Sequence, residues 1–171
     1  ALLTGKNMFG VGLDFSKAFD RLPQEILLEL AQHMGIEEHI LRALKGMYTD
    51  NVRRFKVGPF VGAEFASSNG ILQGCPMSVS LLNAFVQVWV NLVASQVPNA
   101  SPRAYADDLA ATTPSARELR HVLKLTTDFA RMTGMRLNVK KCWVWASNVA
   151  CRVQLTQCQI MGERVPVVQE E

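Results

Sequence analysis

The chain reads as an α+β domain, an antiparallel sheet covered on one face by helices. Three observations lead there. A strand-like run, "NMFGVGLDFS", precedes two segments of helical period; two later stretches switch to period two around turn residues; and the order strand, helices, hairpin, helix, hairpin, helix, strands lacks the regular βα alternation of a parallel sheet. With 171 residues, 49% of them apolar, the chain is long enough for one core and too apolar for a disordered segment.

Each element has its own warrant. Phe9, Val11 and Leu13 make the first strand, which ends at Asp14. Asp20 lies just ahead of Pro23, which suits a first helical turn, and Ile26, Leu27, Leu30, Ala31 and Met34 then recur at helical spacing until Gly35 stops them. Ile36, Ile40, Leu44, Met47 and Tyr48 repeat the pattern. From Val52 the period becomes two, and "RFKVGPFVGAEF" is expected to form a hairpin turning at Gly58 and Pro59. A glycine-punctuated loop, "SSNGILQGCPMS", feeds a helix from about Met77 to Val97.

"RAYADDLAATT" predicts two short strands with an Asp pair between them. Ser115 and Glu118 form a capping box for a helix whose Leu119, Val122, Leu123, Thr126, Phe129 and Ala130 share a face, closed by Gly134. "RLNV" and "KCWVWAS" read as strands, and "QCQIMGERVPVV" as a last hairpin turning at Gly162 and Glu163.

Composition narrows the function classes. The formal charge is +3, with eight basic and eight acidic side chains in residues 1–85 against ten and seven in 86–171, a mild basicity that permits nucleic acid without demanding it. Four cysteines without C-x-x-C or His spacing signal neither zinc nor a disulfide framework, and suit free thiols in a reducing, intracellular compartment. The apolar stretch Ala84–Val97 is interrupted by Gln87, Asn91 and Gln96 and is too short for a bilayer, so no membrane partner is expected. No basic-then-apolar leader opens the chain.

The chemistry lies in "YADD", Tyr105–Asp108. Strand interiors are depleted in Asp, and a lone Asp-Asp pair is more often a solvated turn. Were Asp14 to end a neighbouring strand, three carboxylates would converge at one end of the sheet, where mutual repulsion calls for a cation. Oxygen ligands favour Mg²⁺ over zinc, and two such ions form the clamp used in nucleotidyl transfer; Mn²⁺ is the alternative.

The surrounding segments decide between turn and site. "LDFSKAFDRLP", "GILQGCPMS", "AYADDLA" and "TGMRLNVKKC" resemble, in order, the successive palm motifs of reverse transcriptases, most closely the non-LTR retrotransposon branch. The resemblance implies a palm fold and RNA-directed DNA polymerase activity, with dNTP, an RNA template and a DNA primer as partners, and the nucleus as the expected place for a eukaryotic retroelement. It implies Asp14 and Asp107 as metal ligands, the Phe15 carbonyl assisting, and Asp108 as the neighbouring acid. Phe19 matches the ring that excludes a 2'-hydroxyl, Gln73 and Gly74 the loop against the incoming nucleotide, and Lys141, with Lys140 as alternative, the cation near the leaving pyrophosphate.

One departure is Val79, where the family usually has proline; Ser78 remains available as a cap. By the resemblance the 171 residues form a single palm fragment. Fingers are expected before residue 1, and a primer-gripping hairpin and thumb beyond the end. The alternatives are a non-catalytic nucleic-acid-binding remnant, against which the three intact carboxylates stand, and a nucleotide cyclase, which would lack "LQGCP" and Phe19. Arg53, Arg54 and Lys56 suit either phosphate contacts or a wet strand face. The histidines lack ligand spacing, and the three tryptophans read as packing, with base stacking open to an exposed ring.

Overall fold

The computed structural model describes residues 7–49, 52–67 and 69–168. Ser68 of the glycine-punctuated loop and residues 169–171 of the C-terminal run lie outside the described residues. In chain order the elements are β1 (Phe9–Asp14), α1 (Ala18–Arg21), α2 (Gln24–His33), α3 (Glu38–Tyr48), β2 (Val52–Val57), β3 (Phe60–Ala66) and α4 (Pro76–Gln96). There follow β4 (Ser101–Tyr105), β5 (Asp108–Thr113), α5 (Ala116–Thr133), β6 (Trp143–Ala146), α6 (Val149–Val153), β7 (Gln159–Ile160) and β8 (Glu163–Arg164). They form two compact units: one from the residues up to Ser16 together with those from Phe85 onward, the other from Lys17 to Ala84.

The first unit is built on a four-stranded antiparallel sheet in the order β4-β5-β1-β6. Successive residues of a strand point to opposite faces, so Phe9, Val11 and Leu13 share one face of β1 with their partners and are buried with Leu109, Ala111, Val144 and Ala146. Over that face runs α5, presenting Leu119, Val122, Leu123, Phe129 and Ala130, and the later part of α4 packs against α5. The Phe85 ring meets Phe129 at 5.2 Å, and the buried Trp89 donates its Nε1–H to Thr126 Oγ1 at 3.0 Å. That bond satisfies the one polar atom of an otherwise apolar ring.

The opposite face of β1 carries Gly10, Gly12 and Asp14. A Cβ at Gly10 would sit 2.1 Å from the Trp145 ring, and one at Gly12 would sit 2.4 Å from that of Trp143. Both indoles therefore lie on bare backbone, which explains two glycines in a central strand. The packing reading holds for Trp89, which is fully buried, and for Trp145 on Gly10, whereas Trp143 lies on Gly12 yet is 40% exposed.

Helix α5 starts as its capping box requires, with Ser115 Oγ accepting from the Glu118 N–H, and stops at Gly134 with φ +70°. The hydrogen bonds from Asn99 and Ser115 also hold the Glu118 carboxyl below its ordinary pKa. Two expectations fail nearby. "RLNV" makes only an isolated bridge, Leu137 to Phe15, because Asn138 opens a turn instead. The last hairpin turns one residue early, at Met161 and Gly162, whose positive φ angles of 52° and 85° suit a two-residue primed turn.

In the second unit α2 buries Leu27 and Ala31, and α3 buries Leu41, Leu44 and Tyr48. Met34 does not join them and is 63% exposed, because α2 ends at His33, before that position completes its stripe. The β2–β3 hairpin turns at Gly58 as expected, yet it is exposed almost throughout. There Phe55 stacks on Phe65 at 4.9 Å and Arg54 pairs with Glu64 across the strands, as on a wet strand face.

Helix α4 begins at Pro76, so the favoured first-turn proline is present after all, three positions before Val79. The longer start makes α4 21 residues, long and apolar enough by length and composition to cross a membrane, unlike the stretch Ala84–Val97 alone. Within this fold it is a core helix on one side, with Leu81, Leu82, Phe85, Val86, Trp89 and Val93 buried. Ser78 is not a cap: its buried hydroxyl donates to the Leu72 carbonyl at 2.6 Å.

The loop before α4 is tied down on its other side as well. Gly70 N–H donates to the Leu22 carbonyl at 2.8 Å, Ile71 N–H to the Phe19 carbonyl at 2.7 Å, and Gln24 Nε2–H to the Gly70 carbonyl at 2.8 Å. Gly70 has φ +84°, and a Cβ there would meet the Asp20 and Phe19 carbonyl oxygens at 2.8 and 2.9 Å. Backbone cannot yield as a flexible side chain can.

Gly70→Ala should therefore lower stability by about 1–3 kcal/mol. A urea midpoint unchanged from wild type would show that the loop can leave this position freely. A second expectation concerns pH: burial raises the Cys142 and Cys158 thiols above their ordinary 9.0. Such a thiol holds its proton better when folded, so its contribution is complete below about pH 9 and lost as pH rises through the folded values. Urea unfolding at about pH 7, 9 and 10 should show stability falling over the last step, with a shallower fall for Cys158→Ala.

Candidate functional site

Strand β1 ends where its chemistry begins. Asp14 is the register partner of Asp108, the first residue of β5, so the two side chains leave the same face from facing positions. Facing residues of an antiparallel pair have Cα atoms about 4.5–5.5 Å apart. Asp107 stands one residue earlier, in the Ala106–Asp107 turn that joins β4 to β5. Its neighbour Ala106 has φ +51°, a left-handed conformation that costs a non-glycine residue about 1–2 kcal/mol. The Asp pair thus straddles the turn and the start of β5.

Asp14 and Asp108, but not Asp107, line a cleft of about 730 Å³, together with Arg103, Tyr105, Lys141 and Trp143 among others. Tyr105 is the register partner of Asp108, and Arg103 is that of Ala110, so both fall on the carboxylate face by strand alternation. That alternation was the available signal for them. Tyr105 is 84% exposed.

Like charges facing each other across a ladder repel. Lys141 Nζ lies 3.8 Å from Asp14 Oδ1 and offsets part of that repulsion; with the lysine side chain 68% exposed against 18% for the aspartate, the pair contributes little to stability. The turn that delivers Lys141 is built by Asn138, a residue the motif reading passed over. Its N–H donates to the Asp14 carbonyl at 2.8 Å, while its own carbonyl accepts from Lys141 N–H at 2.8 Å and Cys142 N–H at 3.2 Å. The Cys142 thiol is raised chiefly by burial, with a hydrogen bond to the Asp14 main chain working the other way.

Among the described residues, no three His, Cys, Asp or Glu side chains are grouped so as to hold a metal ion by themselves. The expected triple convergence is instead a facing pair with Asp107 beside it, because the turn residue does not share the cross-strand position of the other two. The donor chemistry still fits a magnesium ion, which is held by one or two carboxylates and keeps its other positions for water and phosphate oxygens.

Phe15 buries its ring, 6.4 Å from that of Phe129, so only its main chain faces any site role. Phe19 is half-buried in α1, and Gln73 and Gly74 are exposed in the loop that is bonded to the Phe19 carbonyl through Ile71. These three belong to the Lys17–Ala84 unit, and the carboxylates with Lys141 to the other.

Comparison with known proteins agrees with this geometry. The family described as "Reverse transcriptase (RNA-dependent DNA polymerase)" matches residues 2–164. The chain is 29% identical over 148 residues to the Pol polyprotein of the type-1 retrotransposable element R2 of Popillia japonica, covering 82% of this chain and 24% of that protein. It is 26% identical over 144 residues to the corresponding polyprotein of element R2DM of Drosophila melanogaster, covering 81% of this chain and 14% of that one. The chain thus spans about a quarter or less of these relatives.

In structure it is similar to telomerase of Candida tropicalis in complex with a TWJ fragment of telomeric RNA, with a TM-score of 0.70 at 13% identity over 88% of this chain and 28% of that one. Telomerase of Candida albicans gives 0.69 at 14% identity over 84% of this chain and 28% of that one. At such identities the likeness speaks for the palm fold alone. Facing carboxylates at the end of a palm sheet, a family match over nearly the whole length and relatives among R2 elements lead to one conclusion: the chain belongs to the reverse transcriptase family, on its non-LTR retrotransposon branch.

Proposed function

We propose that this chain carries the catalytic centre of an RNA-directed DNA polymerase, which joins a dNTP to a primer 3'-hydroxyl on an RNA template. The observation that carries the reading is the Asp14–Asp108 register pair, opening with Lys141 onto one cleft. Family membership supports the reaction class. The RNA bound by the Candida tropicalis telomerase supports an RNA template.

The family generally uses divalent metal ions. Two Mg²⁺ ions, or Mn²⁺, would be held by Asp14, Asp107, Asp108 and the Phe15 carbonyl, supplying the charge that eases loss of the hydroxyl proton and stabilises the leaving pyrophosphate. The chain's own groups do the rest. Asp14 and Asp108, fixed by six consecutive register pairs, present oxygen from strand rather than loop and so lose little order on binding. Lys141, turned toward Asp14 by Asn138, places a positive charge where pyrophosphate charge develops. Phe19 sets its ring under the sugar and rejects a 2'-hydroxyl by overlap. Gln73 offers amide hydrogen bonds to the incoming nucleotide, and Gly74, at φ +90°, brings bare main chain to it.

The chain on this reading supplies the centre and part of the grip on primer and template, so the isolated 171 residues are expected to incorporate little. The assay therefore uses the protein with its flanking segments, on a primed RNA template with Mg²⁺. Asp107→Asn should lower dNTP incorporation about 100-fold or more, the equivalent of several kcal/mol of lost stabilisation. Equal incorporation by both proteins would remove Asp107 from the mechanism. Phe19→Ala should reduce discrimination against ribonucleotides about 10- to 100-fold; an unchanged ratio would sink the sugar-gate assignment.

A further inference from the structure

The loop that carries Gln73 and Gly74 is exposed at its tip and tightly held at its base. Three bonds tie Gly70 and Ile71 to the segment Phe19–Gln24, and two of them use carbonyls of that segment. The third is different in kind: it comes from the Gln24 side chain, buried to 8% exposure, across 46 residues of sequence. A buried amide aimed at a carbonyl must present its nitrogen, so the orientation of Gln24 is set by Gly70. On the far side, the buried Ser78 hydroxyl holds Leu72. Phe19 itself is part of the clamp, since its carbonyl receives Ile71 N–H while its half-buried ring remains for the sugar.

Here we infer that Gln24 is a positioning residue for nucleotide selection, holding the Gln73–Gly74 loop in register with Phe19 so that the loop's contacts to the incoming nucleotide and the sugar gate act as one frame. This rests on the polymerase reading above. Without the Gln24 bond, the Gly70 carbonyl loses its buried donor and the loop gains freedom against Phe19, so a dNTP is held less well and a ribonucleotide is rejected less sharply.

The test uses Gln24→Met, which keeps the length and apolar stem but removes the donor, and Gln24→His, which restores an N–H. In the protein with its flanking segments, Gln24→Met should raise the KM for dNTP about fivefold, more than it lowers kcat, and reduce discrimination against ribonucleotides by a similar factor. Gln24→His should recover most of both. Amide exchange at Gly70 and Ile71 should quicken in Gln24→Met and return in Gln24→His. Lowered thermal stability with KM and discrimination unchanged would make Gln24 structural only and overturn the inference. If the wild-type protein incorporates no dNTP, the polymerase reading falls instead; the clamp is then judged by exchange, and unchanged protection at Ile71 in Gln24→Met overturns it.

Discussion

Everything at the carboxylate site depends on the register between β1 and β5. Six consecutive pairs, from Phe9 with Thr113 to Asp14 with Asp108, place the apolar residues of both strands on the helix-covered face and the two acids on the other. A slip of one residue would turn Val11 and Leu13 toward the cleft and drive Asp14 into the core. Burial of Phe9, Val11, Leu13, Leu109 and Ala111 therefore does more than stabilise the unit. It is the force that aims the carboxylates, because a one-residue slip would satisfy neither face.

That aim works against local electrostatics. Two facing acids repel, and the turn beside them holds Ala106 in a left-handed conformation, so the end of the sheet is less stable than an apolar hairpin would be. Lys141 offsets part of this, yet as an exposed side chain it stabilises little. Asn138 makes the arrangement reproducible by bonding Asp14 and the Lys141 turn at once. The site is stabilised from behind, by core and main chain, and left under-neutralised in front.

Much of this was legible in the residues themselves. Strand alternation with apolar partners marked β1, and Ser115 with Glu118 marked the start of α5, because both signals are local. The Asp pair could be read only through its motif neighbours, since facing Asp14 is a property of long-range register. "RLNV" misled because its pattern is strand-like, while Asn138 spends its hydrogen bonds on a turn. Met34 misled because periodicity continues past the point where a helix stops. The Gln24 clamp was invisible for a similar reason: nothing adjacent to Gln24 in the chain hints at a partner 46 residues away.

The indoles laid on Gly10 and Gly12 have a consequence for how this sheet can change. Each glycine and its tryptophan share one volume, so neither position can drift alone: a side chain gained in β1 must be matched by a smaller ring on β6. The two strands are thereby bound to a joint inheritance, written in size rather than in charge. Because the Trp143 ring also borders the cleft that holds Asp14 and Asp108, the width of that cleft is set by the same exchange.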